Sequence, residues 1–191
     1  MASESEGMEI ASRGQLRGAF FRWAAVTVPL VLLLGMASGR MVPAGSDNAW
    51  YVALAKPAGT PPDWLFPVAW SLIYVMLGLA LAIVLNARGS RWRGLAIGLF
   101  AFQLLANLAW TPLFFGAHRV VLALVLIVVI FLLALATTLV FGRVRATAAW
   151  LMVPYLAWLV YAGLLTVGIH QLNPQADAHL VPSRSNTQIT L

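Results

Sequence analysis

At 191 residues, with 61% hydrophobic and only 9% charged positions, the chain is too apolar for a soluble domain, which runs at about 45–50% apolar and about 25% charged. The length allows one folded domain, and the absence of cysteine excludes disulfides, zinc–thiolate sites and cysteine nucleophiles. A formal net charge of +6 looks at first like a nucleic-acid signal, but the arginines fall in short gaps between apolar runs, so the charge reads as membrane topology and no nucleic-acid partner is expected.

Residues 1–18 are polar, with Glu4, Glu6 and Glu9 followed by Arg13 and Arg17, and read as a disordered or surface-lying tail. Five apolar stretches follow, at about 19–42, 63–86, 95–116, 120–142 and 147–170, each long enough to cross a hydrocarbon core of roughly 30 Å at about 1.5 Å per residue. The runs are continuous rather than alternating, so helices are expected. Residues 171–191 are polar again and read as a second disordered tail. The fold class expected is an all-α membrane protein, a bundle of five transmembrane helices.

The gaps set an orientation. Arg13, Arg17 and Arg22, then Arg88, Arg91 and Arg93, then Arg143 and Arg145 all fall on one side of a five-helix topology. Arg40, Lys56, Arg119 and Arg184 fall on the other. The asymmetry favours the amino terminus inside and the carboxyl terminus outside. A rival reading takes Arg13 to Arg22, the apolar run and the small residues Ala37, Ser38 and Gly39 as a secretory signal. The run is long for a signal, and its removal would leave four helices.

No carboxylate lies inside any span. Asp63 stands at the start of the second, where an N-cap role suffices. Ion pumps place acids or paired charges in their spans, so ion-coupled transport and carboxylate acid–base chemistry are disfavoured.

The segment 49–70, AWYVALAKPAGTPPDWLFPVAW, holds Pro57, Pro61 and Pro62, which favour a stiff, extended path before the second helix. It reads as a semi-rigid lid over the outer end of the bundle, with Trp50 and Tyr51 facing inward. In the third helix Gln103, Asn107 and Trp110 are spaced four and three apart and share one face. Asn107 lies about 13 Å and Trp110 about 9 Å below the end near Gly116. Trp70 lies about 10 Å below the start of the second helix, with Phe66 and Tyr74 one turn to either side. The fifth helix carries Trp158 near mid-membrane, with Ala162 one turn outward. These residues can converge beneath the loop on an apolar cavity with a few amide and indole donors, the form of a site for a flat, weakly polar ligand.

A plainer reading stands beside this one. Trp23, Trp64, Trp92 and Trp150 lie near span ends and read as interfacial belt residues. Gln103 serves equally well as a bond between helices. Trp70, Asn107, Trp110 and Trp158 are too deep for a belt and divide between site and core packing. His118, His170 and His179 have no metal-ligand spacing, so no metal site is expected; an axial haem ligand is the alternative for them. No phosphate loop or nucleophile elbow is present.

The chain resembles the TspO/MBR family, which includes the tryptophan-rich sensory proteins and the translocator proteins. Trp50-Tyr51 with Leu54 and Lys56-Pro57 is similar to its first-loop motif. Pro61-Pro62 with Trp64, Phe66-Pro67, Trp70 and Tyr74 resembles its second helix, and Gln103, Asn107, Trp110, Pro112 and Phe114-Phe115-Gly116 its third. Pro154-Tyr155-Leu156-Ala157-Trp158 resembles its fifth. The resemblance spans residues 35–170. It implies a ligand cavity closed by the first loop, with Tyr51, Pro61, Phe66, Trp70, Tyr74, Asn107, Trp110, Trp158 and Ala162 on pocket positions. It implies porphyrin, haem or sterol ligands, no required cofactor, and a role in tetrapyrrole handling or stress signalling in a bacterial-type cell membrane. The alternatives it implies are a tetrapyrrole transporter and a light-dependent porphyrin-degrading enzyme, in which Trp70 and Trp158 would be the catalytic residues. It also implies a homodimer through the third helix, where Gly94 and Gly98 form a GxxxG pattern; Gly35 and Gly39 form the same pattern in the first. Three positions depart from the family pattern. A tryptophan usual two residues after Lys-Pro is Gly59, which implies a looser lid. An asparagine usual late in the fifth helix is Thr166. No basic residue follows Tyr161 as the animal sterol motif requires.

Overall fold

The computed structural model describes residues 13–178. Among them the regular structure is entirely helical, and five helices are long and apolar enough to cross a membrane. They are α1 (Arg13–Arg40), α3 (Leu65–Asn86), α4 (Arg93–Thr111), α5 (Val120–Val144) and α6 (Ala146–Leu172), while α2 (Ala49–Ala53) is a single short turn in the first loop. The chain is a multi-pass integral membrane protein.

Two differences from the expected boundaries carry meaning. Helix α1 begins at Arg13 rather than at 19, so the last part of the expected amino-terminal tail is helical; residues 1–12 lie outside the described residues. At 28 residues this helix is about 42 Å long, more than the hydrocarbon core needs, and its arginine-bearing start extends past the apolar band. At the other terminus the chain stays ordered beyond 171. Asn173 bonds both backbone groups of Ala55, and Asp177 accepts from the Val120 and Val121 N–H groups at 2.7 and 3.3 Å, capping α5. The remaining expected tail, 179–191, lies outside the described residues.

The helices form a closed ring in the order α1, α3, α6, α5, α4, with α3 also touching α4 across it. Close approach explains the tight α1–α3 crossing. A side chain at Gly78 would stand 2.6 Å from the Val28 Cα atom, and the Thr27 hydroxyl donates to the Gly78 carbonyl at 2.8 Å. In the membrane the alternative for that hydroxyl is to go unbonded in hydrocarbon, so the bond fixes register as well as contact. Ser38 ties α1 to α4 in the same way, donating to the Leu108 carbonyl at 2.6 Å.

The main core runs down the ring and includes Leu77, Ala80, Val84, Phe100, Ile130, Phe141 and Tyr155. A second, smaller core joins the first loop to the bundle, formed by Trp50, Tyr51, Leu54, Phe114, Val120, Ala123, Ile169 and Ala176. This second core turns the loop into a fixed cover.

A lidded aromatic cavity

Beneath that cover lies a cavity of about 540 Å³, within the range of small-molecule sites. Its wall draws on α1, α3, α4, α5, α6 and the first loop. Of the nine site residues expected from sequence, Tyr51, Phe66, Trp70, Tyr74, Asn107, Trp110, Trp158 and Ala162 line it. Pro61 does not; it is half-buried in the approach to α3.

The aromatic wall is built from edge-to-face pairs. Trp70 meets Trp158 at 6.2 Å between ring centroids and Tyr155 at 6.4 Å, and Phe66 meets Trp158 at 6.0 Å. Trp70 also stacks on Tyr74 at 5.3 Å. Each ring therefore holds its neighbour's orientation, and such pairs contribute about 0.5–1.5 kcal/mol beyond their buried area.

Two polar groups mark the depth of the cavity. The Tyr74 hydroxyl donates to the Asn107 side-chain oxygen at 3.0 Å. Trp110 is arranged differently from the other tryptophans, because its indole N–H donates to the Ala123 carbonyl at 3.2 Å while its ring stacks on Phe114 at 4.9 Å. Its donor is spent on holding α4 to α5, which leaves the ring for the cavity.

Phe114 and Phe115 reach the wall through a wider π-helical turn, Pro112–Gly116, that closes α4. Pro112 has no N–H to give the preceding turn, and the Ala117 N–H reaches back to the Pro112 carbonyl at 2.9 Å. Such turns occur often at functional sites.

The cover is tied down at several points. Asn173 bonds the Ala55 N–H at 2.9 Å and its carbonyl at 2.8 Å. The Tyr161 hydroxyl donates to the Gly59 carbonyl at 2.9 Å. Pro57 sits on Gly168, where an added Cβ would stand 2.8 Å from the proline ring. Asn48 donates to the Pro43 and Phe115 carbonyls and accepts from the Tyr51 N–H, capping α2. The looser lid expected from Gly59 is therefore not what the contacts describe. Gly59 has φ +89°, a conformation that disfavours any side chain, and its carbonyl is anchored.

Other expected residues fall as follows. Asp63 does not cap α3; its carboxylate accepts from the Ser46 N–H at 2.8 Å, bracing the loop, because Pro61 and Pro62 carry the chain past the capping geometry and α3 starts after Trp64. Trp50 faces inward yet packs on His118, stacked at 4.5 Å, rather than on the cavity. Tyr51, on the loop, is held above its usual pKa by burial and then by the Asp63 carboxylate, so it presents a neutral hydroxyl. Trp64 is 65% exposed but still lines the cavity rim, whereas Trp150 is 73% exposed and lies away from it. Gln103 is fully buried off the cavity, and its amide has no hydrogen-bond partner among the described residues, so neither the interhelical bond nor a place on the wall is found. His170 is half-buried at the end of α6, His179 lies outside the described residues, and no group of three metal-binding side chains occurs among those described. Thr166 lines the cavity with its hydroxyl turned to the Ala162 carbonyl at 2.8 Å.

Sequence reasoning missed the α1 side of the wall, formed by Gly35, Met36, Gly39 and Arg40. The only signal was the pair of small residues. A side chain at Gly35 would fall on the Tyr74 ring, so this glycine makes room for a cavity residue.

Comparison with known proteins accords with this arrangement. The TspO/MBR family model matches residues 25–172. The chain is 40% identical to a tryptophan-rich protein TspO from Chlorobaculum tepidum over 155 residues, covering 78% of this chain and 95% of that protein. It is 38% identical to protein CrtK of Rhodobacter capsulatus, covering 68% of this chain and 81% of that one. To the translocator protein of Bos taurus it is 36% identical, covering 78% and 89%. Together, the five spans, the lidded cavity and these matches show that the chain belongs to the TspO/MBR family.

Proposed function

We propose that this membrane protein binds flat, hydrophobic ligands, porphyrins and haem foremost, in the cavity under its first loop. The observation that carries the reading is the Trp70–Trp158 pair, 6.2 Å apart on the cavity wall with Phe66 and Tyr74 beside it. Interlocked rings of this kind offer broad apolar faces, and the Tyr74–Asn107 pair and the Tyr51 hydroxyl add a few polar points for orientation. Sterols are the weaker candidates, because Tyr161 is committed to the lid and no basic residue follows it. Titration of the purified protein with protoporphyrin and haem, read by tryptophan fluorescence, tests the assignment.

Light-dependent degradation of a bound porphyrin is the second reading, favoured by two tryptophans meeting at the same wall. A new product from protein and protoporphyrin in light, lost in Trp70→Phe and Trp158→Phe, would establish it. A transporter is disfavoured as an ion-coupled device, since no carboxylate lies within a span.

The reading extends to assembly and placement. The protein sits in a bacterial cell membrane with its amino terminus inside and the lid outside, as the arginine asymmetry favours. It dimerises through α4, where an added Cβ at Gly94 or Gly98 meets nothing within 4 Å and Leu95, Phe102 and Leu105 are exposed nearby.

A further inference from the structure

At the end of the bundle opposite the lid, Arg22, Arg88, Arg143 and Arg145 line one cleft of about 640 Å³, together with Asn86 and the turn after it. The three elements that supply them are far apart in sequence: the start of α1, the α3–α4 turn and the α5–α6 junction. Among the described residues every carboxylate lies at the other end. Asp47 and Asp63 line the lidded cavity, and Asp177 caps the start of α5. The four arginines therefore line the cleft with no carboxylate of the described residues among them. The Arg143 guanidinium lies over the Trp92 ring at 4.9 Å and Arg145 donates to the Val144 carbonyl at 3.1 Å, and the positive charge gathered there favours the entry of something negative.

Topology alone does not explain the convergence. The asymmetry rule asks only that arginines lie on one side of the membrane. Arg91 and Arg93 satisfy it from the same loop without lining the cleft; Arg91 lies over the Trp92 ring at 5.2 Å, and the Arg93 Nε–H donates to the Leu85 carbonyl at 3.2 Å. The level of the cleft is also specific. It lies where two apolar spans end, α3 at Asn86 and α5 at Val144, the level at which spans of this length are expected to meet the headgroups. Arginine is suited to phosphate there, because its planar fork makes paired hydrogen bonds and it is only weakly hydrated.

We infer that this cleft is a binding site for the phosphate of an anionic membrane lipid, separate from the lidded cavity. A headgroup with net negative charge fits the four arginines, whereas a choline headgroup would bring a cation among them. Basic pockets between spans at the membrane face are suited to such headgroups.

The test uses the full-length protein in neutral detergent, titrated with short-chain phosphatidylglycerol or with phosphatidylcholine of the same chain length and read by native mass spectrometry. The glycerol lipid is expected to bind the more tightly. Arg22→Gln with Arg145→Gln should weaken it by about tenfold or more, as each arginine near the membrane surface is worth several-fold, while Arg91→Gln should stay within about twofold. Competition separates the sources of phosphate. If inorganic phosphate and glycerol phosphate leave the lipid bound, the site is one for lipid; displacement at equal concentration assigns it to free phosphates and overturns the lipid. A second measurement needs no substitution. Phosphatidylglycerol with a photoreactive headgroup, in vesicles holding the unaltered protein, should crosslink to residues 86–90 and 143–145. Equal losses in Arg91→Gln, no preference over phosphatidylcholine, or exclusion of the crosslinker until Glu4, Glu6 and Glu9 are neutralised would each overturn the proposal.

Discussion

The hydroxyl of Tyr74 donates to the side-chain oxygen of Asn107 at 3.0 Å, joining α3 to α4 deep in the cavity wall. Gly35 of α1 lies directly against the same tyrosine ring. The three residues make one unit, in which a glycine on one helix leaves the space that a tyrosine on a second needs to reach an amide on a third. Tyr74→Phe should cost about 1 kcal/mol, the usual worth of such a bond, and should leave the fold intact. Gly35→Ala should cost more, because it displaces the ring and breaks the bond as well. Thermal melting in detergent, run beside porphyrin affinity, checks the order; a Gly35→Ala protein as stable as Tyr74→Phe would show that the glycine is not needed for the fit.

The lid contacts predict a rate rather than a state. Asn173→Ala removes two bonds to Ala55, and Tyr161→Phe removes one to Gly59. Each net bond is worth about 0.5–1.5 kcal/mol, so ligand release should quicken about threefold or more in each variant and further in the pair. Stopped-flow displacement of bound porphyrin measures it. Release unchanged in the double variant would mean that ligand leaves by a route the loop does not cover.

Placement in the membrane can be tested cleanly because the chain has no native cysteine. Ser46→Cys in the lid should react with an impermeant thiol reagent in intact cells, and Ser90→Cys should react only after the membrane is opened. The reverse pattern would invert the topology.

Gly98→Leu fills the open space on α4. Crosslinked dimer in mild detergent should fall by about half or more if two backbones approach there. An unchanged yield would move the interface elsewhere.

Much of this arrangement is legible in the amino-acid sequence, and the physical reason is plain. A membrane leaves few options for backbone hydrogen bonds, so five apolar runs specify five helices, and Trp70, Asn107 and Trp158 announce themselves by lying too deep for an interfacial role. What escaped depended on packing between elements. The Gly35–Gly39 pair reads only as a helix-packing pattern, and Arg40 only as a loop charge, until α1 is placed against α3. Gly59 read as a missing tryptophan, although its φ of +89° and the bond from Tyr161 make it an anchor. Asp63 read as a helix cap because only local spacing is visible in sequence, whereas its partner, Ser46, lies 17 residues earlier in the loop, on the far side of α2. The order of Asn173 and Asp177 was equally hidden, since polar residues after a span look the same whether they fray or latch.

The central claim is that the rings at 70 and 158 hold the ligand. Both line the cavity, whereas Trp150 is exposed and remote, and Trp64 stands at the rim. Protoporphyrin affinity should be measured by fluorescence titration for Trp70→Phe, Trp158→Phe and Trp150→Phe, with melting temperature as the control for folding. The first two should lose about fivefold, equivalent to about 1 kcal/mol of ring contact, and Trp150→Phe less than about twofold. Equal losses in all three, or none in the first two, would contradict the assignment.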